Sequence, residues 1–141
     1  MKNIHAYLNF NGNCKEAIYF YRDCLGGEVE LCTYEESPAE MLIPADAKEK
    51  IMHARLSKGA ALLMASDRVG SDPVKPGENV ALSIEYSSES DMAAHFDALS
   101  QGGEVTMPLQ DTFWGARFGM LKDKFGIHWM LHFQREAVCK E

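Results

Sequence analysis

The chain has no block of lysine or arginine, no apolar stretch long enough to cross a bilayer and no CxxC pair. The first absence argues against nucleic acid or an anionic membrane as partner, since both are held by clustered positive charge. Lysine and arginine number 14 against 21 aspartates and glutamates, and the net charge of −7 reads as solubility. Of the four cysteines, Cys14 and Cys24 fall in a predicted helix and Cys32 in a predicted strand, with Cys139 near the end. Without motif spacing they read as small buried hydrophobes rather than redox groups. The chain opens directly into a strand pattern with no signal-like segment, so a reduced, cytoplasmic setting is expected. There is also no GxSxG elbow, no phosphate-cradling GxxxxGK motif and no HExxH, which leaves serine hydrolase, nucleotide-binding and zincin readings unsupported.

What the chain does have is an internal repeat. Residues 20–29, Phe20-Tyr-Arg-Asp-Cys-Leu-Gly-Gly-Glu-Val29, recur as Phe96-Asp-Ala-Leu-Ser-Gln-Gly-Gly-Glu-Val105 at an offset of 76. Residues 5–10 lie over 79–84 at an offset of 74, and Lys58–Met64 lies over Lys124–Met130 at an offset of 66. A chain of 141 residues suffices for one compact domain, whereas each half alone is marginal. The halves are therefore expected to pack together or pair with a second chain, with a site between them.

Residues 4–10 alternate, placing Ile4, Ala6, Leu8 and Phe10 on a buried face and His5, Tyr7 and Asn9 on the other. Asn13 with Glu16 three residues on predicts a capping-box helix whose stripe is Cys14, Ala17, Ile18, Tyr21 and Leu25, stopped by Gly26. Strands are predicted at 28–35, 51–57 and 60–66, with a proline-containing loop through Pro38 and Pro44. After a connector at 67–78 the cycle repeats: strand 79–86, helix 89–101 with Met92, Phe96 and Leu99 on one face, then strands 104–110, 115–122 and 127–133.

Alternation also predicts which side chains face away from the helices. These are His5, Tyr7 and Asn9; His53 and Arg55; Asn79, Ala81, Ser83 and Glu85; and His128, Met130 and His132. Val80, Leu82, Ile84 and Tyr86 are expected toward the helix. Four of five histidines share this surface, as metal ligands, bases, anion donors or hydrogen-bonded structural residues. Glu85, His5 and His53 are the general-base candidates. Met64 and Met130 read as pocket walls, the alternative being thioether ligands. Trp114 reads as a pocket wall or as packing, and Phe113 and Phe118 as core.

The paired βαβββ units, the opening His5-Ala-Tyr-Leu-Asn-Phe10, the helix ending Phe20-Tyr21 and the closing Asp123-Lys-Phe-Gly-Ile-His-Trp129 resemble the glyoxalase, bleomycin-resistance and extradiol-dioxygenase superfamily, also called vicinal oxygen chelate. The resemblance covers nearly the whole chain. Tyr7–Phe10 with Gly12-Asn13, Met52-His53-Ala54, Met107-Pro108 through Trp114, and Phe118-Gly119 resemble its PhnB-like subgroup, whose members often bear the name 3-demethylubiquinone methyltransferase. The chain has no glycine-rich turn after a first strand and no alternating β/α pattern, so a Rossmann-like methyl-donor site is not supported. For metal-dependent members the resemblance implies two ligands per half, on the first and last strands, which here fall on His5 and Asn79 and on Met64 and Met130. Only His5 suits a hard divalent ion, and such a site needs at least three donors. His128 and His132 lie about 13 Å apart along a strand, too far to ligate one ion easily.

The fold is therefore expected to be α+β, two tandem βαβββ modules (residues 1–66 and 79–136) forming cupped mixed sheets in a single, homodimeric domain. The expected function is metal-independent binding of a small, partly apolar molecule, with no cofactor, in the manner of the drug-sequestering members of the resembled family. Tyr7, Met64, Trp114 and Met130 are its expected walls, and His5, His53, Asn79 and His128 its polar contacts. The alternatives are a metal-dependent lyase, isomerase or dioxygenase with ligands relocated to His5, His53 and a partner, and an interaction protein with an empty cleft.

Overall fold

A computed structural model of the chain describes residues 1–36 and 45–135. Pro38, Pro44 and Cys139 lie outside the described residues. The elements are β1 (Ala6–Phe10), α1 (Cys14–Leu25), β2 (Glu28–Thr33), β3 (Ile51–Lys58), β4 (Ala61–Asp67), β5 (Leu82–Tyr86), α2 (Glu89–Ser100), β6 (Glu104–Asp111), β7 (Ala116–Lys122) and β8 (His128–Gln134). The chain divides into two compact units, residues 1–75 and 76–141. Each holds one βαβββ set, and the strand orders β1-β4-β3-β2 and β5-β8-β7-β6 are equivalent. In both, the first and last strands pair in parallel and the others antiparallel. This is the expected α+β fold.

The repeated Gly-Gly has a physical cause in each unit. Gly26 and Gly102 end the helical segments at φ of +83° and +76°, a conformation that disfavours a side chain. The second glycine of each pair, Gly27 or Gly103, lies so close to the carbonyl oxygen of Ser57 or Lys122 that a Cβ would collide with backbone. The repeat thus marks the point where each helix is turned back onto its own sheet.

In unit 1, α1 buries Cys14, Ala17, Ile18, Tyr21 and Cys24 against a sheet face that includes Leu8, Ala54, Leu56 and Ala65. Cys24 takes the buried place expected for Leu25, which is half-buried. The capping box does not form. Asn13 is the N-cap residue but caps nothing with its side chain, whose Oδ1 accepts instead from the Asn11 N–H at 3.2 Å. The cap is Asp67, 1% exposed at the end of β4. Its Oδ1 accepts from the N–H groups of Gly12 and Cys14, and its Oδ2 from that of Ile51, each at 2.9 Å. A carboxylate beats an amide here because its full negative charge meets the positive end of the helix dipole. Asp67 was expected to begin the connector; it is instead where β4, α1 and β3 meet.

In unit 2, α2 has a side-chain cap of its own, Ser88 Oγ accepting from Asp91 N–H at 3.2 Å, and buries Met92, Phe96 and Leu99 as expected. Strand β6 forms one edge of the sheet, contains Pro108 and shifts register on both sides of Met107.

Register corrects the repeat. Tyr7 pairs with Met64 and Ser83 with Met130, so Tyr7 lies over Ser83 at the helix offset of 76, not 74. The change of offset toward the last strands is taken up by the longer connection between β2 and β3. Correspondingly β1 begins at Ala6 and β5 at Leu82, and Ile4 and Val80, expected on buried faces, are 85% and 71% exposed. Each precedes its strand. Among the described residues, no helix is long and apolar enough to cross a membrane.

Replacing Asp67 by Ala strands three N–H groups, two of them buried with their residues, and is expected to cost about 3 kcal/mol or more. Asn13→Ala should cost less than about 0.5 kcal/mol. Urea unfolding followed by circular dichroism checks both; equal losses would refute the assignment of the cap.

Candidate functional site

The sheet face of unit 1 opposite α1 carries Tyr7, Met64, Arg55 and Glu30 as one cross-strand row. Tyr7 Oη lies 3.4 Å from His53 Nδ1, with ring centroids 5.9 Å apart. Cys32 is the register partner of His53 on β2. Ala54 and Leu56 are buried, whereas His53 is half-buried and Arg55 exposed. His5 is exposed and precedes β1. Tyr7, His53 and Met64 are therefore brought together, and His5 stands outside the strand.

Titration is also shaped here by burial. Burial pushes the Cys14 thiol up to about 12, with the Asp67 carboxylate adding to the effect. Burial and then Glu36 raise Cys32. Cys14 and Cys24 are buried and Cys32 half-buried, and Cys14 is held as a neutral thiol, unsuited to nucleophilic chemistry near neutral pH.

In unit 2, Gly119, Leu121, Trp129 and Leu131 are buried on the α2 side; a Cβ on Gly119 would come within 2.8 Å of Phe96. Their alternates form the opposite face. One row runs Ser83, Met130, Met120, Met107 across all four strands, and the next runs Glu85, His132, Phe118, Gln110. All three methionines are half-buried. Met130 was expected there, but Met120 and Met107 were missed. Alternation with Leu121 places Met120 on this face; Met107 was concealed by the register shifts in β6.

Trp114 does not sit on this face. It lies in the β6–β7 turn, 37% exposed, edge-on to Phe113 at a centroid distance of 4.9 Å. Phe113, expected as core, is 95% exposed, because it lies in the four-residue turn between β6 and β7 rather than on a strand. The turn is fixed by Thr112 Oγ1, which accepts from Ala116 N–H at 3.1 Å, and by Arg135 N–H donating to the Gly115 carbonyl at 3.0 Å. The Arg135 guanidinium also bonds Glu89 and, at 2.6 Å, Asp111.

The turn joining β7 to β8 is held by a buried carboxylate. Asp123, 2% exposed, accepts from Phe125 and Ile127 N–H at 2.8 and 3.0 Å and from the Trp129 indole N–H at 2.8 Å. This explains the Asp-Lys-Phe-Gly-Ile-His-Trp pattern: the aspartate folds the turn over itself. Beside the turn lies an open pocket of about 510 Å³ lined by residues 76–79, Lys122, Gly126 and His128. Asn79 precedes β5 and is exposed, yet it is gathered with His128, its companion among the expected contacts. Lys122 was not singled out by the sequence.

The metal positions implied by resemblance do not form a hard-ion site. Met64 and Met130 are laddered with Tyr7 and Ser83, not with His5 and Asn79. Among the described residues, no three His, Cys, Asp or Glu side chains are grouped to hold an ion. Thioether, phenol and aliphatic hydroxyl are poor donors to an oxygen- or nitrogen-preferring divalent ion, so these residues do not fit one.

The model of the Glyoxalase/Bleomycin resistance protein/Dioxygenase superfamily matches residues 3–131. The chain is 30% identical to Protein YjdN of Escherichia coli, over 94% of this chain and 96% of that one. Among solved structures it is similar to protein PA1353 from Pseudomonas aeruginosa, with 42% identity, a TM-score of 0.85, and coverage of 96% and 100% of the two chains. The PhnB protein from Bacillus cereus shares the fold, at 24% identity and a TM-score of 0.74 over 94% of this chain and 99% of that one.

Because the Cys14 thiol ionises near 12 in the fold and near 9.0 when unfolded, stability should be intact below about pH 9 and fall as pH rises from there. Thermal unfolding from pH 7 to 11 should show a shallower alkaline loss for Cys14→Ala than for the wild type. Iodoacetamide at pH 8 should modify Cys14 only under unfolding conditions, by peptide mass mapping.

Proposed function

The chain belongs to the Glyoxalase/Bleomycin resistance protein/Dioxygenase superfamily, and within it we propose that this protein binds a small, partly apolar molecule without a metal ion. The observation that carries the reading is the methionine row. Met130, Met120 and Met107 lie in register on adjacent strands, where metal-dependent relatives are expected to place a hard ligand on the last strand. Methionine is flexible and polarizable, so such a row adapts to the shape of an apolar guest while offering no strong donor to a cation. Tyr7 beside Met64, with His53 on the phenol, gives unit 1 a surface of similar character with one hydrogen-bonding corner. Trp114 at the β6–β7 turn supplies an exposed aromatic face.

We place the protein in the cytoplasm as a homodimer, which accords with half-buried apolar side chains on each sheet face left open by its helix. His5, outside β1, is the weakest member of the expected set of contacts. Methyl transfer has no support in this reading.

Tag-free protein should take up no stoichiometric zinc, nickel, manganese or ferrous iron after desalting, by plasma mass spectrometry. Its melting temperature should rise with members of a panel of small apolar compounds, and Met120→Ala should reduce that rise at least severalfold. Stoichiometric metal whose removal lowers the melting temperature would overturn the proposal in favour of a metal-dependent lyase, isomerase or dioxygenase.

A further inference from the structure

The pocket beside the β7–β8 turn and the methionine row lie on one surface. Lys122 and His128 are cross-strand partners, and each stands two residues from Met120 and Met130, which are cross-strand partners in turn. Side chains two apart on a strand share a face at about 7 Å spacing. A cationic and an imidazole group therefore lie one step along the strands from two adjacent thioethers.

The donor-bearing side chains of this pocket make few side-chain contacts. Among the described residues, neither the His128 ring nor the Asn79 amide makes a side-chain hydrogen bond. Among the described residues the Lys122 ammonium has one ion-pair partner, Glu104, at 3.9 Å, beyond hydrogen-bonding distance. Three donor-bearing side chains thus line a volume of about 510 Å³. The turn that positions two of them is locked by the buried Asp123, so the arrangement is preorganised. Glu78, also in the wall, disfavours a highly charged guest and favours one with a single anionic head.

We propose that unit 2 binds an amphipathic organic acid: its oxyanion, carboxylate or phosphate monoester, is held by Lys122, His128 and Asn79, and its apolar body lies over Met120 and Met130. This rests on the small-molecule reading above and adds the chemical class. Lys122 becomes the specificity-determining residue, because an ammonium set beside an apolar strip distinguishes an acid from an alcohol of the same length.

The test uses the full chain, isotope-labelled for amide and methionine-methyl NMR, titrated in separate arms with hexanoate, hexyl phosphate, 1-hexanol and acetate. Both acids should shift the amides of Lys122 and His128 together with the Met120 and Met130 methyls, and should bind about tenfold tighter than hexanol, the worth of one charge-assisted hydrogen bond. The better of the two acids identifies the head group. Lys122→Met should erase most of the acids' advantage over hexanol, and His128→Gln provides the same comparison if the first variant folds poorly. Hexanol binding as tightly as the acids would overturn the proposal and leave the apolar-binder reading standing. Equal acid binding by wild type and both variants would also overturn it. Failure of every probe to move the methionine methyls counts against both readings.

Discussion

Each unit is organised around a carboxylate removed from water. Burying a charge is costly unless its acceptor sites are filled, and both aspartates are filled by N–H donors. Asp67 takes the backbone of Gly12, Cys14 and Ile51, joining a helix start, a strand start and a strand end. Asp123 takes Phe125, Ile127 and the Trp129 indole, folding one turn and anchoring one core aromatic. The two are not counterparts in the repeat: Asp67 closes β4, whereas Asp123 follows β7. Duplication preserved the frame, and each copy found its own place for a buried charge.

The same divergence governs the open faces. At equivalent positions unit 1 presents Tyr7, Met64, Arg55 and Glu30, while unit 2 presents Ser83, Met130, Met120 and Met107. One row is polar at its β2 end and aromatic at its β1 end; the other is nearly all thioether. Only the last-strand methionine is common to both.

Elements fixed by local periodicity were legible in the sequence. The buried stripe Cys14, Ala17, Ile18, Tyr21, the trio Met92, Phe96, Leu99, and the in–out alternation of β8 all follow from spacing alone. Features set by distant partners were not. Asn13 had the right identity for a cap, but Asp67 arrives from 53 residues away and outcompetes it. Met107 was hidden because two register shifts break the parity of β6. Phe113 looked like core because composition says nothing about a turn that projects past the sheet. The expected contacts Asn79 and His128 are gathered in one pocket, but the lysine that gives the pocket its charge reads in the sequence as an ordinary surface residue.

The cap supplied by Asp67 also bears on how the chain is made. A twelve-residue helix is marginal on its own, and α1 leaves the ribosome long before the carboxylate that satisfies its first turn. β1 waits as well, since its sheet partner among the described residues, β4, ends at that same aspartate. The two elements that open unit 1 are thus the last of that unit to be secured, and a single later residue completes both. The long-range contacts of unit 1 therefore close only once Asp67 has been made.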